Sequence, residues 1–118
     1  MEEIDSIRAL TAEIRDFARE RDWEKFHDPK SLILALVGEV GELAELFQWI
    51  PTESTVRHFA EPARKQRAAE EISDVLTYLL RLADVLNIDA GAAASDKLAK
   101  SRVRFPISRV EGQAPSRD

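Results

Sequence analysis

Three glutamates stand three residues apart in one short stretch, Glu39-Val40-Gly41-Glu42-Leu43-Ala44-Glu45. A second pair, in Glu71-Ile72-Ser73-Asp74, repeats the spacing further along. Residues three apart share one side of a helix, so each set makes a row of carboxylates. Like charges so placed repel even in water, by about a few tenths of a kcal/mol. The flanking Leu and Val residues put part of the cluster close to a core, where an unpaired carboxylate costs far more. A cation has to compensate. With oxygen donors only and no cysteine in the chain, the fitting ion is hard. Mg²⁺ keeps several waters and commonly bridges carboxylates to substrate phosphates, and Mn²⁺ can substitute for it.

A solvated acidic stripe is the ordinary reading of any one such pair. Two features weigh against it. The pairs fall on two segments expected to be neighbouring helices, so four carboxylates can converge. Gly38 and Gly41 also flank Glu39. Each costs about 1 kcal/mol against Ala inside a helix, which implies close approach by another helix or a ligand. A di-iron carboxylate centre needs two inward Glu-x-x-His motifs. The chain offers one, Glu24-Lys25-Phe26-His27, in a turn, and His58 has no Glu three residues before it, so that reading is rejected.

The elements that must position these groups are all helical. Ile4, Ile7, Leu10, Ile14 and Phe17 step by three or four, which is one face of an amphipathic helix that Asp5 or Ser6 can cap. Asp28-Pro29 reads as N-cap and first helical residue, starting a helix expected to run to Ile50 and stop at Pro51. Thr52 to Glu61 reads as a loop. Pro62 opens a third helix to about Leu86, and Asp89 caps a fourth that ends at about Arg104, before Pro106. No segment alternates like a strand. The expectation is an all-α, four-helix bundle-like domain over residues 1–106, without a sheet and with antiparallel central helices, followed by a polar, flexible tail at 107–118. The second helix is apolar on most of its circumference, from Leu32 to Ile50. One small domain cannot bury all of it, so part should meet another subunit.

Composition narrows the partners. The 118 residues carry 17 Lys+Arg and 22 Asp+Glu, a net charge of −5, and 44% are apolar. That fits one folded domain and excludes a disulfide framework and a thiolate site. The acid excess argues against long nucleic acids, but not against a single polyanion whose charge a metal meets. No apolar run approaches the length of a membrane span, and the acidic start is unlike a secretory signal, so a cytoplasmic protein is expected.

Two longer strings carry a resemblance: Phe17-Ala18-Arg19-Glu20-Arg21-Asp22-Trp23-Glu24-Lys25-Phe26-His27, and Leu36-Val37-Gly38-Glu39 through to Gln48-Trp49. With Glu39-x-x-Glu42 and Glu71-x-x-Asp74, the chain resembles the MazG-like superfamily of all-α nucleoside triphosphate pyrophosphohydrolases, in its dCTP pyrophosphatase branch. The resemblance spans roughly Ile4 to Pro106. It implies hydrolysis of a deoxynucleoside triphosphate, dCTP or a modified dCTP, to the monophosphate and pyrophosphate. It also implies Mg²⁺ on Glu39, Glu42, Glu71 and Asp74, and helical dimers or tetramers, of which the tetramer is expected here. Glu45, next in the row, is the candidate base for the attacking water, with Glu42 as the alternative.

The nucleotide site implied by the resemblance includes Trp23, Phe26 and His27 before the second helix, together with Trp49 and Tyr78. Trp49 is seven residues from Glu42 and Tyr78 four from Asp74, which puts both on the carboxylate faces of their helices. Lys97, Lys100 and Arg104, at the end of the fourth helix, are implied in phosphate contacts. The chain departs from the family at Ser101, often Asn, and at Ile14, where some dCTP-branch members carry His. Two other readings stay open: a pyrophosphohydrolase for another (d)NTP, and a non-enzymatic helical oligomerisation module.

Overall fold

A computed structural model describes residues 6–114. Ile4 of the first periodic face and the cap candidate Asp5 lie outside them. Helix α1 spans Ile7–Glu20, α2 Pro29–Glu45, α3 Thr55–His58, α4 Pro62–Val85, α5 Ala90–Arg104 and α6 Ile107–Val110. No strand occurs among the described residues.

The long helices start where local chemistry dictates. Ser6 Oγ accepts from the Ala9 N–H, Asp28 from that of Ser31, and Asp89 from that of Ala92, each satisfying an orphan donor of the first turn. Glu61 accepts from Ala63 and Arg64, with Pro62 at the first helical position. Helices α1 and α4 stop in the same manner. The Trp23 N–H reaches Ala18 O at 2.9 Å and that of Asp22 reaches Arg19 O at 3.1 Å. The Ile88 N–H reaches Ala83 O at 2.8 Å and that of Asn87 reaches Asp84 O at 2.9 Å. These are Schellman pairs, and the residues at their centres, Asp22 (φ 57°) and Asn87 (φ 58°), are left-handed.

Three expectations need correction. Helix α2 ends at Glu45, five residues short of Ile50. Beyond it the N–H groups of Leu46, Phe47 and Ile50 bond three residues back, to Leu43, Ala44 and Phe47. Pro51 disfavours helical backbone at Ile50, and the Phe47 ring packs on Phe59 at 4.4 Å between centroids. The expected loop 52–61 holds a 3₁₀ turn, Thr52–Ser54, followed by α3. The expected tail holds α6, a single turn.

Helices α2 and α4 form the central pair. His27 meets Arg81, Glu39 meets Glu71, and Leu46 shares a surface pocket with Ala63, so the two run antiparallel. Helix α1 lies antiparallel to α4, with Arg15 on Asp84 and Arg8 on Asp89 beyond its end. Among the described residues the buried apolar ones are few: Ala18, Leu32, Leu36, Ala68 and Leu80. Leu32 on α2 and Leu80 on α4 are the largest side chains that are fully buried. By contrast Ile33, Leu34, Val37 and Val40 on α2, and Ile72, Leu76 and Leu79 on α4, remain exposed.

Candidate active site

Helices α2 and α4 bring Glu39, Glu42 and Glu71 together, and one carboxylate oxygen from each lies within 4.8 Å of the other two. Glu71 is buried, Glu39 half-buried and Glu42 exposed, so the trio opens from the core to the surface. Glu39 Oε2 and Glu71 Oε2 are cut off from solvent and have no hydrogen-bond partner among the described residues. Arg67 Nε, one turn before Glu71, stands 3.5 Å from its other oxygen. Burial, then the charges of Glu42 and Asp74, push Glu39 above the ordinary carboxylate range. Buried oxygens without donors are costly, and a cation among the three relieves that cost. The all-oxygen donor set fits a divalent hard ion.

Asp74 is exposed on the next turn of α4. Its charge reaches Glu39, but its carboxylate is not part of the close trio. Glu45 is the last residue of α2 and also stands outside the trio, exposed. Gly38 and Gly41 do not serve a contact within the subunit, because a Cβ built on either meets nothing within 4 Å. That face of α2 is open.

About two helical turns along α2 and α4 from the trio, a cleft lies between α1, α2 and α4. Trp23, His27 and Tyr78 line it together with Ile14, Phe17 and Arg81. The Schellman turn sets Trp23 directly beyond α1, where its ring meets Phe17 edge-on at 5.6 Å. The cleft measures about 120 Å³. Pockets for drug-sized ligands measure about 300–1,000 Å³, so this cleft by itself is smaller than such a site.

The remaining expected residues are dispersed. Phe26 is exposed, with Lys25 Nζ 5.5 Å from its ring centroid. Trp49 is 86% exposed. Its expected alignment with Glu42 assumed a helix continuing past Glu45, and the helix does not continue. Lys97, Lys100 and Arg104 are exposed on α5, with no hydrogen bond or ion pair to the trio among the described residues.

Sequence reasoning missed a charged network under the cleft. Arg15 grips Asp84 with two bonds, Nε to Oδ2 at 2.8 Å and Nη2 to Oδ1 at 2.6 Å. Arg81 Nη1 donates to the same Oδ2 at 3.0 Å, and Arg81 Nε donates to His27 Nδ1 at 3.0 Å. The hydrogen bonds from Arg15 hold Asp84 below the ordinary carboxylate range against a smaller opposing effect of burial. The available signal was an Arg and an Asp three apart inside the apolar run Leu79-Leu80-Arg81-Leu82-Ala83-Asp84-Val85.

The all-α architecture with antiparallel central helices agrees with the family comparison. Residues 35–113 match the MazG-like family, and the chain belongs to it. Among curated relatives, dCTP pyrophosphatase 1 of Bos taurus is 47% identical over 111 residues, which cover 94% of this chain and 64% of that protein. The Homo sapiens dCTP pyrophosphatase 1 is 48% identical over 103 residues, 87% of this chain and 59% of that one. The chain thus spans less than two-thirds of the length of these relatives. A solved structure of a pyrophosphatase from Archaeoglobus fulgidus is similar at a TM-score of 0.75 and 36% identity, covering 90% of this chain and 97% of its own.

Proposed function

We propose that the chain hydrolyses a deoxynucleoside triphosphate, dCTP or a modified dCTP, to the monophosphate and pyrophosphate. The observation that carries this reading is the trio of Glu39, Glu42 and Glu71 with two buried, unpartnered oxygens. Similarity to proteins named dCTP pyrophosphatase 1 supports the substrate. Glu39, Glu42, Glu71 and Asp74 would hold Mg²⁺, with Mn²⁺ as the substitute. When bound, such an ion would supply charge neutralisation, orientation of the triphosphate and polarisation of a phosphoryl oxygen.

The protein's own groups do the rest. Trp23 and Tyr78 offer flat surfaces to the base, and His27 a polar contact. Glu45 accepts the proton of the attacking water, since it stands outside the trio with its carboxylate free; Glu42 is the alternative. Water adds at the α-phosphorus and pyrophosphate leaves. Lys97, Lys100 and Arg104 act on the phosphates only if α5 of a neighbouring subunit, or a shift of its own, brings them near. Trp49 and Phe26, exposed and outside the cleft, contribute to the base site on the same condition.

We infer a homo-oligomer, a tetramer rather than a dimer. The Cα radius of gyration is 17.5 Å, against about 13–14 Å for a compact chain of this length. The exposed apolar faces of α2 and α4 and the open glycines support the same reading. Light scattering that finds a monomer at micromolar concentration overturns it. No helix of the described residues is long and apolar enough to cross a membrane, and the proposed nucleotide-pool substrate supports a cytoplasmic location. No long nucleic acid is a partner.

The test is direct. Purified chain with Mg²⁺ and dCTP yields dCMP and pyrophosphate, and Glu42→Ala abolishes this. Formation of dCDP and inorganic phosphate refutes the reaction class. Unchanged turnover in EDTA refutes the metal. A second reading, another (d)NTP as substrate, draws on Ile14, which lines the cleft where some dCTP-branch members carry His. A panel of triphosphates separates the two. Absence of both hydrolysis and Mg²⁺ binding leaves a helical oligomerisation module.

A further inference from the structure

Arg81 is buried between Leu80 and Leu82 on α4, only 7% exposed. A buried guanidinium needs compensation. Asp84 provides it, but Arg15 already holds both oxygens of that carboxylate. The pairing leaves Arg81 Nε for another acceptor, and that acceptor is His27 Nδ1 at 3.0 Å. A guanidinium donates and never accepts. Nδ1 must therefore present a lone pair, and the single proton of the neutral ring sits on Nε2. A protonated imidazole would set an N–H against an N–H. Burial and the positive charge of Arg81 both push His27 below its ordinary range, with only Glu24 opposing them.

The remaining polar edge of the ring is free. Nε2 has no partner among the described residues and is not among the fully buried unpartnered atoms. The ring lines the cleft with Trp23 and Tyr78. The tautomer decides what that edge can recognise. With the proton on Nε2 it is a donor; with the proton on Nδ1 it would be an acceptor.

We propose that Arg81, held by Asp84 and Arg15, is a positioning residue that locks His27 as the neutral Nε2–H tautomer, so that the cleft offers one fixed donor to the acceptor edge of a flat heterocyclic base. The matching ligand edge is a ring nitrogen lone pair or a ring carbonyl oxygen, as on a pyrimidine. The tautomer follows from the contacts alone. The choice of a base as ligand rests on the pyrophosphohydrolase reading.

The experiment has two arms on the full chain. Long-range ¹⁵N–¹H NMR reads the ring nitrogens directly. The sequence has two histidines, and His58→Gln removes the second signal. Near neutral pH, His27 shows an unprotonated Nδ1 and a protonated Nε2. Arg81→Met loses this pattern, and Arg81→Lys, which keeps a charge and a donor, restores it in part. In the kinetic arm, Arg81→Met raises KM for dCTP about tenfold while kcat changes less than about threefold, the loss expected for one fixed hydrogen bond. It also erases the preference of the wild-type chain for dCTP over 3-deaza-dCTP, which lacks the ring nitrogen acceptor.

A wild-type ring that is charged or protonated on Nδ1 at neutral pH overturns the proposal, and this is read even if the variants fail to fold. An unchanged tautomer in Arg81→Met overturns it too. A locked tautomer with unchanged KM refutes the role in recognition. Absence of any hydrolysis counts against the pyrophosphohydrolase reading and leaves the tautomer to be judged by NMR, with dCMP titration then reading whether Nε2 meets a base; an Nε2 signal that dCMP does not move refutes that half.

Discussion

Glu39 and Glu71, on antiparallel helices, each turn one carboxylate oxygen away from solvent and from every hydrogen-bond donor of the described residues. Folding the metal-free chain therefore works against these two groups. A divalent ion that binds only the folded state adds stability by mass action, about 1.4 kcal/mol at ten times its dissociation constant. For a chain of this size that corresponds to a rise of roughly 5 °C in Tm. Thermal melts with Mg²⁺ and with EDTA check it. Glu71→Gln is expected to abolish the shift while leaving the EDTA melt unchanged or higher.

Asp84 provides a pH prediction. Its folded pKa lies below the ordinary value because Arg15 and Arg81 stabilise the charged form. Its contribution is fully present above the unfolded pKa, about 4, and is lost as pH falls through the lower folded value. Denaturant midpoints measured from pH 6 down to pH 2 should show this acid limb. Asp84→Asn should flatten it and cost about 3 kcal/mol at neutral pH, since Arg81 is left buried without its counter-ion. A limb unchanged by the substitution would exclude the assignment.

Asn87 sits at φ 58° at the centre of the turn that ends α4. Glycine takes that conformation without a Cβ penalty. Asn87→Gly is expected to raise stability by about 0.5–1 kcal/mol. Chemical denaturation measures the gain, with no change expected in the m-value.

Leu32 and Leu80 are the largest fully buried side chains. Truncating either to Ala should cost about 2–5 kcal/mol. Leu80 neighbours Arg81, so the Leu80→Ala chain should also lose affinity for substrate, whereas Leu34→Ala, at an exposed position, should leave the fold intact and weaken only self-association.

Within the aromatic set, the structure separates residues that the sequence grouped. Trp23 lines the cleft and Phe26 does not. Trp23→Ala should raise KM about tenfold or more, in line with loss of one stacking surface. Phe26→Ala should change it less than about threefold in a single subunit's terms. Steady-state kinetics on both variants decides; equal effects would mean that Phe26 is covered by a neighbouring subunit.

What could be read from the sequence was local. Asp28-Pro29, Pro62 and Asp89 set helix starts because a cap needs only its own next three residues. The carboxylate rows were legible for the same reason, since three-residue spacing fixes a helix face. The end of α2 was not. It depends on Phe47 meeting Phe59 twelve residues later and on backbone bonds that tighten before Pro51. The expected place of Trp49 failed with it. The bond from Arg81 to His27 joins residues 54 apart and had no local signature beyond a charge among leucines. Periodicity gave the helices their faces, but it could not say which charges those faces would pair.

The Schellman turn after α1 has a consequence for how base preference can change over generations. Trp23 owes its place to two backbone bonds and to the left-handed Asp22, not to a socket of its own. Its ring moves with the last turn of α1. A substitution at Asp22, which does not line the cleft, can therefore tilt one wall of it by degrees. Selectivity in this chain can drift through the end of a helix while every residue lining the cleft stays the same.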